Sequence, residues 1–423
     1  MIRRISTPLG KGIKTISKLR GGGSALPGLV VEKIDPDFLR RTLSQLPKGV
    51  VLISGTNGKT TTTKMVVELL ESQGLKVLTN RSGSNFVRGV IASLLESVDI
   101  HGKLNADIAV LELDEAHAVH FVKQVAPTYS LLLNVMRDQL DRFGEIDYTA
   151  GLLTKIAQAT TGAVVLNRED QRVRNIASLT SSSQPPTFFG LSDATRSLFP
   201  DDDSLRKPSL SAEPLPPAYV TLDALHGQTA TFSIGTQVHT LNLRLSGLYN
   251  IYNAAAALAL VSKICNETIK TDALLSTLSQ ITPAFGRGET FSVDGQPLEL
   301  VLVKNPSGFR LGLSSFNAKN TATMIAVNDN YADGRDMSWL WDVEFNSLRE
   351  DGVACVSGIR AYDMALRLQY DEVEIGHVST ELEKSLRHFI RSNSGTPKRI
   401  YCTYTAMLQL RRELAKFTKV EAI

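Results

Sequence analysis

Residues 51–62 read VLISGTNGKTTT, an apolar run that breaks into a glycine-framed loop and ends in Lys-Thr-Thr. Val51, Leu52 and Ile53 have the composition of a buried strand. Gly55 and Gly58 let the backbone curl so that successive N–H groups point inward, Lys59 adds a point charge, and Thr60 offers a hydroxyl to a divalent cation at the start of the following helix. Together these residues predict a phosphate-binding loop for a nucleotide, built from Gly55, Thr56, Asn57, Gly58, Lys59, Thr60 and Thr61. The spacing G-x-x-G-K-T is two residues shorter than the general G-x-x-x-x-G-K-[ST] pattern, with Ile53 where the first glycine would stand. A chance glycine turn before Lys-Thr would not also carry a strand signal before it and a helix signal after it.

The rest of the chain agrees with an α/β enzyme. At 423 residues it suits two or three domains of roughly 100–200 residues each. A hydrophobic content of 43% and a charged content of 21% are ordinary for a globular protein. A net charge of +3 is too small to argue for nucleic acid. Cys265, Cys355 and Cys402 are far apart and form no C-x-x-C pair, which disfavours a disulfide framework or a cysteine zinc site and fits a reducing cytoplasm. No apolar run approaches the roughly 20 residues of a membrane span, so none is expected to cross a bilayer.

The N-terminus stands apart. Residues 1–20 carry Arg3, Arg4, Lys11, Lys14, Lys18 and Arg20 with no acid, while Ile2, Ile5, Leu9, Ile13, Ile16 and Leu19 recur at helical spacing. Pro8, Gly10 and Gly12 weaken that helix. Such a segment can lie on an anionic membrane surface or dock on its own domain. Charge interrupts it throughout, which disfavours a cleavable signal peptide.

After the loop, the pattern predicts a helix over 59–73, a strand near 76–79, a strand at 108–113, a helix near 115–125 and strands at 129–134 and up to Asn167. This alternation predicts a doubly wound, mainly parallel sheet. From about 178 to 220 Ser, Pro and Asp dominate, and an insertion with little regular structure is expected there. Antiparallel alternation follows over 218–245, then an alanine-rich helix at 250–264. A Pro- and Gly-containing stretch near 281–290 marks the expected boundary to a second α/β unit, with strands at 299–303, 323–327 and 353–356. The expected organisation is an N-terminal segment 1–45 packed on a central domain 46–290, then a domain 291–423.

GTNGKTT (55–61) resembles the loop of the Mur ligase superfamily, the ATP-dependent ligases of cell-wall precursors and folate. Further stretches resemble that superfamily in order: LNVMRDQLDRFGEID (133–147), VLNREDQRV (165–173), RLSGLYNIYNAAAALAL (244–260), FGRGE (285–289) and KNPSGF (304–309). Within it, ALPGLVVEKIDPDFL (25–39), NDNYADGRDMSWLWDVEF (328–345) and SGIRAYDMALRL (357–368) resemble the MurT-type subunits of lipid II isoglutaminyl synthase. With the loop at residue 55, the resemblance implies a chain without the UDP-sugar-binding domain of other Mur ligases. It implies a P-loop ATPase domain followed by a smaller Rossmann-like domain. Many members carry a four-cysteine zinc ribbon in the middle domain, but 178–220 holds no cysteine, so no structural zinc is expected.

The resemblance also implies an activity: ATP-dependent amidation of the D-glutamate α-carboxylate in the stem peptide to D-isoglutamine, through an acyl phosphate. It implies Mg²⁺ on Thr60 and Glu112, with Lys59 on the phosphates. A carboxylate ending a strand suits a hard cation, although a surface acid would look alike. Asp114 and Glu115 have weaker claims, and either could cap the next helix. Asn134 is taken as a site residue, with Asp138, Gln139 and Asp141 around it as positional residues or helix caps. Asn250 and Asn253 match nucleotide contacts or, alternatively, N-cap and packing residues. Arg287 matches an arginine that reaches the nucleotide, and Asn305 a cleft residue in what is otherwise an ordinary turn.

Asp336 is the most distinctive position. The resemblance implies that it reaches into a GatD-type glutaminase and completes that partner's Cys-His-Asp triad; a loop acid capping the helix near Ser338 is the plainer reading, and Asp333 and Asp342 compete. Trp339 and Trp341 would anchor that heterodimer, or pack in the core. None of the three cysteines sits in a glutaminase-like motif, so the ammonia is expected from another chain. The expected location is cytoplasmic, at the inner membrane face, on lipid II or a related precursor. Two other classes fit the loop: an amino-acid-adding ligase of the folylpolyglutamate type, in which Lys155 would be a candidate for carbamylation, and a non-catalytic nucleotide switch.

Overall fold

The computed structural model describes residues 2–19, 25–80, 86–136, 146–196, 198–199, 214–245, 247–282, 287–315 and 319–420. They divide into two compact units: residues 1–135, 145–245 and 250–281, and residues 136–144, 246–249 and 282–423.

In the first unit the described strands are β1 Val50–Ser54, β2 Val77–Thr79, β3 Ile108–Glu112, β4 Tyr129–Leu132, β5 Ala163–Asn167, β6 Thr187–Leu191, β7 Val220–His226, β8 Thr229–Ile234 and β9 Gln237–Asn242. They form one sheet in the order β2-β3-β1-β4-β5-β6-β7-β8-β9. Pairing is parallel from β2 to β7 and antiparallel from β7 to β9. Every residue of β1, β3 and β5 is buried, as helices on both faces of a parallel sheet require. The chain leaves β1 for β2 and β3 on one side and then returns to β4 on the other. This reversal opens a crevice at the carboxyl end of β1, where ligands bind in doubly wound sheets.

The stretch 178–220 departs from expectation. A 3₁₀ turn at Ile176–Leu179 leads into it, and it contains the interior strand β6 and a short helix at Asp193–Arg196. The five residues TFFGL are a short apolar run in a Pro-, Ser- and Asp-rich setting, and composition hid them. Residues 200–213 lie outside the described residues, as do Asp138, Gln139 and Asp141.

Residues 2–19 form one helix that continues through Pro8. It packs on the helices Ala25–Ile34 and Val87–Ser97. Ser6 donates to Asp35 at 2.8 Å, and Lys14 reaches Ala92 O at 2.6 Å and Glu96 at 2.7 Å. A Cβ on Gly10 would come within 2.6 Å of Val31 and 2.8 Å of Leu95. The glycine that lowers helix propensity is thus what lets the helix approach its neighbours, and tertiary packing supplies its stability. By length and composition the helix Leu248–Cys265 could cross a membrane, which the sequence reading did not single out, but 78% of its 18-residue apolar window is buried within the protein.

In the second unit β10 Arg287–Val293, β11 Gln296–Leu302, β12 Ala322–Ala326, β13 Val353–Ser357, β14 Ile375–Ser379 and β15 Lys398–Cys402 form a sheet ordered β10-β11-β15-β12-β13-β14. Only β10 and β11 run antiparallel. Two apolar cores include Phe309, Trp339, Phe345 and Leu368 in one and Leu386, Phe389, Met407 and Leu410 in the other.

Candidate functional site

The loop between β1 and the helix Lys59–Ser72 depends on two glycines. Gly55 has φ +134° and Gly58 φ +87°, regions that side chains rarely enter. Neighbours also fill the space where a Cβ would stand: Asn134 N lies 2.9 Å from that point at Gly55, and Asn253 Nδ2 lies 2.6 Å from it at Gly58. Asn134 follows β4 and secures the loop. Its Oδ1 accepts from Asn57 N at 2.8 Å, its Nδ2 donates to Asn57 O at 3.0 Å, and its backbone O accepts from Thr56 N at 3.0 Å. The Asn134 side chain is therefore engaged with the loop backbone.

Lys59 is buried and folds back on the loop, donating to Gly55 O at 2.5 Å and Thr56 O at 3.4 Å. Thr60 donates to Glu112 Oε1 at 2.8 Å. The parallel register pairs Ile53 with Glu112, and Leu113 N bonds Ile53 O at 3.2 Å, which brings the end of β3 beside the loop. Ser54 adds a bond to Leu113 O at 3.0 Å. Asn80, just past β2, holds the Glu112 peptide from both sides, at 2.8 and 3.0 Å. Sequence reasoning missed Asn80; its only signal is a polar residue at the carboxyl end of a strand, as for Glu112.

The residues present fit a nucleotide with Mg²⁺. Thr60 and Glu112 are adjacent hard oxygen donors, the kind of ligand that Mg²⁺ prefers. The first helical turn leaves N–H groups without helical partners, and the Thr61 hydroxyl is buried with no hydrogen-bond partner. Glu115, only 2% exposed, begins the helix Glu115–Val122 with its Oε2 3.7 Å from Lys59 Nζ. Burial pushes its carboxyl up to about 7, against the pull of Lys59. Asp114 caps that helix, accepting from Glu115 N at 2.9 Å.

Asn253 is buried in the helix Leu248–Cys265 against Gly58, while Asn250 is half-buried near the start of that helix. Next to Asn253 in the chain, Tyr252 OH donates to Asn167 Oδ1 at 2.6 Å at the end of β5. Asp170 caps the helix Gln171–Asn175 and also accepts from Val135 N at 2.6 Å; burial pushes its carboxyl up to about 6. Lys155 is exposed on the helix Ile146–Ala159.

The remaining candidates lie in the second unit. Arg287 opens β10. Asn305 is fully buried, and its Oδ1 accepts from Gly308 N at 2.7 Å, the geometry of a cap on the helix Pro306–Ser315. Asp336 is half-buried, with Oδ1 accepting from Ser338 N at 2.9 Å at the start of the 3₁₀ helix Ser338–Asp342. Asp333 is tied down by Thr405 N at 2.7 Å and Asn330 N at 3.0 Å, and burial raises its carboxyl. The backbone carbonyl of Asp342 accepts from Arg310 at 2.5 Å. Trp339 is a core residue, whereas Trp341 is exposed and meets Tyr370 edge-on at 5.0 Å.

Residues 53–261 match the family model of the Mur ligase middle domain, and residues 302–407 that of the MurT ligase C-terminal domain. The chain is 30% identical to the lipid II isoglutaminyl synthase (glutamine-hydrolyzing) subunit MurT of Streptococcus pneumoniae, over 93% of each chain. It is 28% identical to the subunit of the same name from Staphylococcus aureus (strain COL), over 84% of each. In fold it is similar to the MurF ligase of Thermotoga maritima, solved in complex with ADP, with a TM-score of 0.69 and 18% identity over 92% of this chain and 83% of that one.

Proposed function

The chain belongs to the MurT family of lipid II isoglutaminyl synthase subunits, and from this we propose that it is the synthetase half of a glutamine-dependent amidating ligase. The substrate carboxylate is the α-carboxylate of D-glutamate in the stem peptide of lipid II or a related precursor. Carboxylates are poor electrophiles. A carboxylate oxygen therefore attacks the γ-phosphorus of ATP, ADP leaves, and the acyl phosphate forms. Ammonia then attacks the acyl carbon and inorganic phosphate departs, leaving the amide.

The observation that carries this reading is the meeting of Lys59, Thr60 and Glu112 at the carboxyl ends of β1 and β3. The Gly55–Thr61 amides and Lys59 bind the phosphates and offset the charge that develops on them. Thr60 and Glu112 would hold Mg²⁺, which supplies Lewis-acid polarisation of the phosphoryl oxygens. Asn134 keeps the loop in shape, and Asn253 fixes the position of Gly58. Asn250, Arg287 and Asn305 are the further candidates for nucleotide contact in this reading.

Ammonia is mostly protonated at neutral pH, so a docked glutaminase of the GatD type delivers it where water is excluded. Asp336 orients that partner's catalytic histidine. A surface in the same unit supports docking there. Tyr362, Leu366 and Tyr370 stand at helical spacing on Ala361–Tyr370, are 67%, 48% and 69% exposed, and are extended by Trp341. Exposed aromatic clusters of this kind mark protein interfaces. On this reading the reaction runs in the cytoplasm at the inner membrane face, where a lipid-linked precursor is accessible and the basic segment 1–20 would contact anionic lipid.

The test is mass spectrometry of lipid II incubated with ATP, Mg²⁺ and ammonium or glutamine, with and without co-expressed glutaminase. Amidation that requires the glutaminase only when glutamine is the nitrogen source is expected. ADP formation that depends on a free amino acid, with no amidation, would establish an amino-acid-adding ligase instead.

A further inference from the structure

Two carboxylates near the end of β3 serve two different residues of the phosphate loop. Glu112 takes Thr60, and Glu115 faces Lys59 at 3.7 Å. Both Lys59 and Glu115 are buried, with relative exposures of 8% and 2%. A buried ion pair is tolerable only while both charges are present; removing one partner leaves the other uncompensated in a low-dielectric setting. Lys59 must turn toward the phosphates when a nucleotide binds. Resting on the nucleotide reading above, we propose that Glu115 is the resting counter-charge of Lys59 and takes up a proton when Lys59 is handed to the phosphates. The site thereby couples nucleotide binding to proton uptake, and Glu115 acts as a positioning residue.

Among the described residues, no other cation stands ready to replace Lys59 beside Glu115. Lys59 and Asp114 are the charged groups that act on its carboxyl. The helix Glu115–Val122 packs on the helices Ile146–Ala159 and Val87–Ser97 and on β1. Asp147 pairs with Arg172 at 2.8 Å, Arg88 with Glu32 at 2.8 Å, and Glu96 with Lys14 at 2.7 Å. Lys155 is exposed, and β1 is uncharged. Burial already lifts this carboxyl while Lys59 holds it down, so departure of the ammonium lifts it further.

The experiment is calorimetric titration of the full chain with Mg²⁺ and a non-hydrolysable ATP analogue at pH 8. It is run in two buffers of different ionisation enthalpy, for the wild type and Glu115→Gln. The wild type is expected to take up a substantial fraction of one proton per nucleotide and Glu115→Gln none. The variant is expected to bind several-fold more tightly at pH 8 and equally at pH 6. A wild type that binds with the same heat in both buffers overturns the proposal, whether or not the variant folds. An equal proton count in the two proteins also overturns it. No nucleotide binding by the wild type defeats the phosphate-loop reading itself, so the two failures are distinguishable.

Discussion

Asn134 holds the peptide groups of Asn57 with both ends of its amide, at 2.8 and 3.0 Å, so a residue just past β4, the strand paired with β1, shapes the loop. Asn134→Ala frees one N–H and one C=O, each bond contributing about 1 kcal/mol. The expected outcome is roughly tenfold weaker nucleotide binding with the overall fold retained, read by titration and by circular dichroism. Unchanged affinity would show that Gly55 and Gly58 shape the loop without help.

Lys59→Ala removes the only lysine of the loop. ATP turnover is expected to fall by at least about 10²-fold, the usual cost of losing a group aimed at developing charge, while glutaminase binding persists. Turnover and pull-down of the partner are measured on the same preparation; full activity would refute the loop assignment.

Asp336→Asn separates the two nitrogen sources. Glutamine-driven amidation is expected to collapse and ammonium-driven amidation to survive, because in the proposed triad only the partner's imidazole loses its carboxylate. Asn retains an oxygen to accept from Ser338 N, so the local turn is kept. Equal loss with both sources would place Asp336 in the synthetase site.

Asp170 makes folding pH-dependent. Its carboxyl titrates near 6 when folded, against an ordinary value of 3.8. Between those values the folded chain binds more protons than the unfolded one, so this group makes stability fall as pH rises from about 4 to 6 and then level off. Asp170→Asn is expected to flatten that segment of the stability curve in urea unfolding at pH 4.5, 5.5 and 7. An unaltered slope would assign the dependence to other groups.

Much of this was readable in the residue string because it rests on local signals. Val51–Ile53, Gly55, Gly58 and Lys59 announce a strand, a turn and a helix over twelve residues, and IAVLEL announces the strand that ends in Glu112. What stayed hidden depends on distant partners. Nothing near Glu115 in the sequence indicates Lys59, which is 56 positions earlier in the numbering, and Asn80 shows its value only once β2 lies beside β3. Strand β6 was obscured because three large apolar residues, Phe188, Phe189 and Leu191, carry little weight among prolines and serines. Pro8 and Gly10 mislead for a similar reason: their penalties are local, and the packing that offsets them is not.

The two ends of the large sheet have a consequence for self-association. At one end β2 is three residues long, and at the other β9 reads QVHTLN, largely exposed and mostly polar. An unpaired strand recruits another chain when it is long, flat and apolar. Neither border offers such a template, so this sheet terminates itself at both margins and resists runaway strand addition, even when the chain is concentrated.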